Sequence, residues 1–77
     1  MSSLFTSKTG LRCYIGSPHH DGAGGYLVSV DAEDTLPPTR EIAKAARWGL
    51  PSNGAGFRAR VKVTSDRTAA VIFTRKS

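Results

Sequence analysis

Three segments of the chain alternate apolar and polar residues with the two-residue period of a strand that is buried on one face. In the first segment, residues 8–16, the apolar positions are Leu11, Cys13 and Ile15. The other two segments are residues 26–31 and 57–64. A fourth strand is predicted at residues 68–74, a mostly apolar run between two threonines. Turn-forming residues lie between residues 8–16 and 26–31, and again between residues 57–64 and 68–74, so the pattern predicts two β-hairpins.

A helix is predicted between the two hairpins, over residues 38–48. Pro38 suits the first helical position, and Gly49 followed by Pro51 is typical of a helix end. At 100° per residue, one side of this helix carries the apolar residues Ile42, Ala45 and Ala46. The opposite side carries the bases Arg40, Lys44 and Arg47.

These elements predict a single α+β domain over residues 1–77. It has a four-stranded antiparallel sheet with one helix packed on one face, in the order ββαββ. The glycine-rich residues 17–25 form a long, mobile loop in the first hairpin. The layer between sheet and helix contains alternate apolar residues of the fourth strand together with Leu11, Cys13, Ile15, Tyr26, Val28, Val30, Phe57, Val61, Val63, Ile42, Ala45 and Ala46. The open face of the sheet presents Arg12, Tyr14, Arg58, Arg60 and Lys62.

The length of the chain limits what such a domain can contain. A chain of 77 residues buries about 60% of its unfolded surface, which excludes an ordinary two-domain enzyme with a large cleft. Its 39% hydrophobic content is too high for a fully disordered chain, and no apolar run reaches the roughly 18 residues of a membrane helix. A single cysteine and a start without signal-peptide features favour a reducing cytoplasm and no membrane partner.

The charge of the chain is unevenly distributed around a net value of +5. Residues 1–37 carry two bases and four acids (2 − 4 = −2), whereas residues 38–77 carry nine bases and two acids (9 − 2 = +7). Alternate residues Arg58, Arg60 and Lys62 project side by side from one strand, where they are suited to a polyanion or an acidic groove. Tyr14 is a candidate stacking ring on the same face. The alternative is a solvated face whose charges prevent edge pairing.

No catalytic, metal or cofactor motif is present in the sequence. Neighbours such as His19, His20 and Asp21 rarely converge on one ion, and no further ligand lies at a suitable spacing. The glycines of residues 22–25 precede a strand instead of opening a helix, so they do not form a phosphate loop. Cys13 alternates with apolar residues and is interpreted as a buried, inert thiol. The sequence therefore predicts no enzyme, no metal and no cofactor.

Trp48 lies on the boundary between the two sides of the predicted helix. The first interpretation is that its ring covers the rim of the core. The alternative is an exposed binding anchor beside Lys44 and Arg47, since interfaces concentrate binding energy in aromatic and arginine side chains.

Residues 42–53 (IAKAARWGLPSN), followed by the strand at residues 68–73 (TAAVIF), resemble segments of small phage anti-CRISPR proteins. Those proteins are similar to this chain in size and in having a sheet with one helix. The resemblance implies a phage-type binding protein that inhibits a bacterial macromolecular machine. Its partner would be a host protein or ribonucleoprotein, such as a Cas protein, in the cytoplasm of the bacterial host.

The residues themselves leave two functions open. The first is a non-enzymatic inhibitor that binds its target with Arg58, Arg60 and Lys62, with the helix residues Arg40, Lys44, Arg47 and Trp48, or with both. The second is a small basic nucleic-acid-binding module that uses the open sheet face together with Tyr14.

Overall fold

An antiparallel sheet forms one layer of the domain in the computed structural model, which describes residues 3–22 and 24–76. In chain order, its strands are β1 (Ser3–Thr6), β2 (Arg12–Ile15), β3 (His19–His20), β4 (Tyr26–Ala32), β5 (Phe57–Val63) and β6 (Thr68–Arg75). The helix α1 (Thr39–Arg47) lies between β4 and β5 in the chain. The spatial order is β1-β2-β4-β6-β5, and β3 pairs with β4.

The strand register places the alternating apolar residues of neighbouring strands on one face. Val28 of β4 lies opposite Val71 of β6, and Val71 lies opposite Val61 of β5. On the other side of β4, Ile15 pairs with Val30. Because successive side chains point to opposite faces, these pairs form one continuous apolar surface on the helix side.

The core lies between this apolar surface and α1. Ile42 and Ala46 of the helix are fully buried, and Phe73 of β6 is the largest fully buried side chain. The small Ala46 lets the helix backbone approach the sheet closely. The ring of Tyr26 meets the ring of Phe57 edge to face, with 5.5 Å between their centroids. The α+β class, the helix on one face and the pairing of β5 with β6 are therefore confirmed.

The number and order of strands were predicted wrongly. The described residues form six strands, not four, and their order is not ββαββ. The strand that the alternation pattern missed at the start, β1, pairs with β2 through only four residues. Its apolar residues Leu4 and Phe5 are adjacent, so they give no alternating signal.

The predicted long, mobile loop over residues 17–25 was wrong in part. His19 and His20 pair with Leu27 and Tyr26, so the strand resumes after a short interruption. The remaining turn is closed by Asp21, whose N–H donates to the carbonyl of Gly25 at 3.2 Å. A side chain at residue 25 would collide with the carbonyl of Phe73, so this position requires glycine. Backbone pairing with β4 has overridden the local preference for a turn.

Val63 does not belong to the core as predicted, since 54% of its surface is exposed. It lies at the end of β5, beside the turn to β6. The helix has nine residues and a length of about 13 Å, which is shorter than the strand that it covers. The helix therefore leaves the last residues of β5 uncovered, whereas Val61 is half-buried.

We expect Phe73→Ala to lower the free energy of unfolding by about 3–5 kcal/mol, because it removes a fully buried ring and leaves a cavity. The control is Ile72→Ala in the same strand, whose half-buried side chain points to the opposite face and should cost less than half as much. Chemical denaturation measures both values. Equal losses in the two variants would contradict the assignment of the two faces.

Candidate binding surfaces

The open face of the sheet, which is the face opposite α1, carries a row of three exposed bases on β5: Arg58, Arg60 and Lys62. We call this set the basic row. Its residues alternate with Phe57, Ala59 and Val61, which pack against the core, so the three bases must point away from the helix. The sequence-based prediction that these three residues share an exposed face is confirmed.

The residues next to the basic row are small or uncharged. Across the ladder to β6, the three bases lie opposite Thr74, Ile72 and Ala70 respectively. The nearest acid along the open face of the ladders is Asp31, which lies opposite Thr68 on the far side of β6. Successive bases of the row start about 6.6 Å apart along the strand. The three bases therefore form a row of positive charge with no acid directly opposite it on β6.

Tyr14 lies on the same open face, but at a distance from the basic row. Its strand, β2, is separated from β5 by β4 and β6, which amounts to three strand spacings or about 14 Å. Its hydroxyl donates to Oε1 of Glu33 at 3.1 Å. The hydrogen bond to Glu33, together with the negative charge of that carboxylate, raises the pKa of Tyr14 above its ordinary value. The structure therefore does not bring Tyr14 beside the three bases.

Arg40 and Lys44 are exposed on α1, on the side of the domain opposite the basic row. A single flat partner surface can therefore contact the helix bases or the sheet bases, but not both sets. The sequence-predicted site residues consequently belong to two separate surfaces.

Arg47 is not part of an exposed helix stripe, and that part of the prediction was wrong. Its guanidinium group donates from Nη1 to the carbonyl of Gly54 at 2.8 Å and from Nη2 to the carbonyl of Phe57 at 3.1 Å. The same group lies 5.6 Å from the centre of the Phe73 ring, within cation–π range. A helical projection assigns Arg47 to the polar side, but its long side chain folds back over the following loop.

The loop that Arg47 holds has an unusual backbone. The segment Pro51–Gly54 is kinked and is not a regular helix, since Ser52 has a φ of 53° and Asn53 a φ of 54°. Left-handed conformations cost non-glycine residues roughly 1–2 kcal/mol each. The paired donors of Arg47 fix the end of this loop and help to stabilise it against that cost. Arg47 is therefore a structural residue.

The interpretation of Trp48 as a cover for the core was wrong, because 73% of its surface is exposed. The ring borders a groove of about 550 Å³ between α1 and the first two strands. Phe5 and Ile15 lie on the strand side of this groove, and Ala45 lies on the helix side. The exposure of Trp48 agrees with the alternative interpretation as a binding anchor, which stays a prediction.

Charged residues surround this groove. Lys8, Lys44 and Glu41 are among the residues that line it. The N–H of Lys8 donates to Oε1 of Glu41 at 2.9 Å, which joins the β1–β2 turn to the helix. Sequence reasoning missed Phe5 and Lys8 as site residues, because their importance depends on the unrecognised strand β1. The available signal was the adjacent apolar pair at residues 4 and 5, with Lys8 three residues further on.

The residues that were considered for metal or thiol chemistry are His19 and His20, which are exposed, and Cys13, which is buried. The ring of His20 lies 4.8 Å from that of Tyr26. Within residues 3–22 and 24–76 there is no group of three or more side chains that could hold a metal ion. Cys13 is fully buried, and desolvation raises the pKa of its thiol, which makes the thiol less reactive.

No helix in the described part of the chain is both long and apolar enough to cross a membrane.

Comparisons of the chain with protein-family models, with curated proteins and with solved structures found no match. The resemblance to anti-CRISPR proteins therefore stays a prediction.

We expect Arg47→Ala to lower the free energy of unfolding by about 2 kcal/mol, because it leaves two carbonyls without their charged donor. Arg40→Ala is the matched control, since it removes the same side chain from an exposed position of the same helix. The control should change stability by less than about 0.5 kcal/mol. Urea denaturation of both variants measures the difference, and an equal effect would contradict the structural role of Arg47.

We expect Glu33→Gln to lower the pKa of Tyr14 towards its ordinary value, because the variant removes the charge that disfavours the phenolate. Since the folded-state pKa of Tyr14 is raised, this interaction stabilises the fold below the ordinary tyrosine pKa. That contribution is lost as the pH rises through the raised value. An NMR titration of the tyrosine ring resonances measures the shift, with Tyr14→Phe to assign the signal. An unchanged pKa in Glu33→Gln would be inconsistent with the Glu33 contact.

Proposed function

We propose that this protein is a non-enzymatic binding protein that uses its open sheet face to occupy an anionic surface of a bacterial macromolecular machine. The observation that carries the proposal is the basic row: Arg58, Arg60 and Lys62 are exposed, aligned on one strand and paired across the ladder with residues that carry no charge. Positive charge in this arrangement speeds the encounter with an anionic partner and suppresses binding to basic ones.

The size of the domain supports binding through one face. Its extents are 35 × 22 × 22 Å, so one broad face is comparable to the roughly 800 Å² that each partner contributes to a standard interface. Beside the basic row, the open face carries the half-buried side chains of Ile72 and Ala70, which are apolar. An apolar surface with arginines at its edge resembles the composition of protein interfaces, in which arginine is enriched.

The partner that we propose is a nucleoprotein machine of the bacterial host, and specifically a CRISPR effector with its Cas proteins. Such a complex carries both the phosphates of its guide and acidic protein surfaces, and either can meet the basic row. In this proposal the protein is a phage-type inhibitor that acts in the host cytoplasm. The anti-CRISPR resemblance of residues 42–53 and 68–73 supports this choice of partner.

A second candidate function is direct binding of single-stranded nucleic acid. The observation that favours it is the spacing of the basic row, which lets three side chains contact a single extended phosphate backbone. The distance of Tyr14 from the row argues against a stacking ring next to these bases.

The test compares two double variants with the same change of charge. Arg58→Glu with Arg60→Glu reverses the row, whereas Arg40→Glu with Lys44→Glu reverses the exposed helix bases. In a titration of target cleavage by a purified CRISPR effector, we expect saturation near one inhibitor per binding site. The row variant should lose at least 100-fold in affinity, because each of its two contacts becomes repulsive. The helix variant should retain inhibition.

Salt dependence separates the two candidate functions. If the row binds single-stranded DNA through three phosphates, the logarithm of affinity should fall with that of salt concentration with a slope of about −2. Tight effector binding together with weak binding to a random oligonucleotide supports the inhibitor. Loss of inhibition in the helix variant alone would refute the assignment to the open face.

A further inference from the structure

A second surface lies on the other side of the domain, where an apolar groove adjoins the edge of the sheet. We propose that this groove is a docking site for an extended acidic segment of a partner protein, which adds to β1 as a further strand. This inference does not depend on the function proposed for the basic row, because the groove lies between α1 and the first two strands.

The backbone of β1 offers hydrogen-bonding groups to a new strand. Among the described residues β1 pairs with β2 alone, so its other side is an edge. The N–H of Ser7 donates to the carbonyl of Leu11 at 2.8 Å, which makes this a hydrogen-bonded pair. Bonded pairs alternate along an antiparallel ladder, so Phe5 bonds to Cys13, while the N–H and C=O groups of Leu4 and Thr6 point outward. Strand addition uses groups of this kind.

The groove can receive an apolar side chain of the added strand. Alternate side chains of a strand paired with β1 point to the same face as Phe5, which is the face on which the groove opens. Phe5, Ile15 and Trp48 supply its apolar lining. A volume of about 550 Å³ lies within the usual range for pockets that bury a small ligand, so it is sufficient for one apolar side chain.

Two large apolar side chains are exposed beside this site. Trp48 is 73% exposed and Leu4 is 54% exposed. Exposed tryptophan is uncommon on surfaces that contact only water, and it is a frequent anchor of interfaces. Leu4 lies on the edge strand itself, so a strand that adds to β1 also covers Leu4.

The charges around the groove select an acidic occupant. Lys8 and Lys44 line the groove and are exposed, and Arg40 lies one helical turn before Lys44. The acid of the lining, Glu41, already accepts a hydrogen bond from the backbone of Lys8. A second copy of this chain also carries a net charge of +5 and would be repelled. An acidic segment gains attraction at the same positions.

The probe is a seven-residue peptide with capped ends and the sequence threonine–glutamate–threonine–phenylalanine–threonine–glutamate–threonine. As a strand it directs phenylalanine and both glutamates to one face. Because Trp48 is the single tryptophan of the chain, its emission reports directly on the groove. We expect a blue shift on titration and amide NMR shifts concentrated at Leu4, Thr6 and Trp48. The same peptide with lysine in place of glutamate should bind at least 10-fold more weakly.

Backbone N-methylation of the peptide tests strand addition without altering the protein. Two peptides carry one N-methyl group each, on the central phenylalanine or on an adjacent threonine. Strand addition predicts that one position abolishes binding and that the other is tolerated, because alternate N–H groups face β1. Thr6→Pro, which removes an outward N–H, should weaken binding at least 10-fold. If this variant fails to fold, the methylated peptides decide alone.

Other occupants give different results. Tolerance of both N-methyl groups, or equal binding of the lysine peptide, would overturn the proposal. A blue shift that depends on protein concentration, with dimers in sedimentation, would make the groove a contact between copies and refute it. A shift with anionic vesicles but not with the peptide would also refute it.

The variant Arg58→Glu with Arg60→Glu should bind the peptide normally, so failure of the basic-row function is distinguishable from failure of this site.

Discussion

Strand β4 determines how the rest of the domain is arranged. It pairs with β2 and β3 along one side and with β6 along the other, so the strands on either side depend on its register. Its buried residues Val28 and Val30 alternate with exposed Leu27 and Ser29. A slip of one residue would turn Val28 and Val30 to solvent, which costs roughly 1.5–3 kcal/mol for each buried side chain. The register of β4 thus fixes which face receives the helix and which face stays open.

Arg47 and the two arginines of β5 have the same side chain, but the fold places them in different surroundings. Arg47 donates to the carbonyls of Gly54, at the end of the strained loop, and of Phe57, at the start of β5, so its donors are used within the fold. Arg58 and Arg60 project from an edge strand opposite Thr74 and Ile72, neither of which carries a carboxylate. Exposed charged side chains of this kind contribute little to stability, so the fold itself does not require arginine at these two positions.

The longer elements could be predicted from the sequence because each carries its own periodic signal. Strand β5 has seven residues and α1 has nine, so each repeats its pattern of apolar and polar residues often enough to define a buried face. The four residues of β1 and the two of β3 do not, and both exist because a neighbouring strand offers an open edge. The basic row was predictable for the same reason as β5, since alternation alone places its side chains on one face.

The rest of the candidate site depends on contacts between elements that are distant in the sequence. The separation of Tyr14 from the basic row follows from the order of the strands, which alternation does not encode. The environment of Arg47 depends on the path of the chain after the helix, and that of Trp48 depends on the position of the first two strands. A helical projection contains neither of these contacts. Sequence periodicity therefore predicts the face of a residue, and only the assembled fold decides which of its neighbours it contacts.

A sheet one layer thick with one short helix leaves no room for an enclosed cleft, so binding by this domain has to use its surfaces. The two candidate surfaces lie on different sides of the domain, the basic row on the open face of β5 and the groove between α1 and the first two strands. Occupation of the open face leaves β1 and the groove accessible, because Phe5 and Trp48 belong to the helix side. The two sites therefore do not compete sterically. In the two proposals together, the open face binds the anionic machine, while the edge strand is left free to bind an acidic segment of a separate partner protein. Neither contact requires the other, because each uses its own residues.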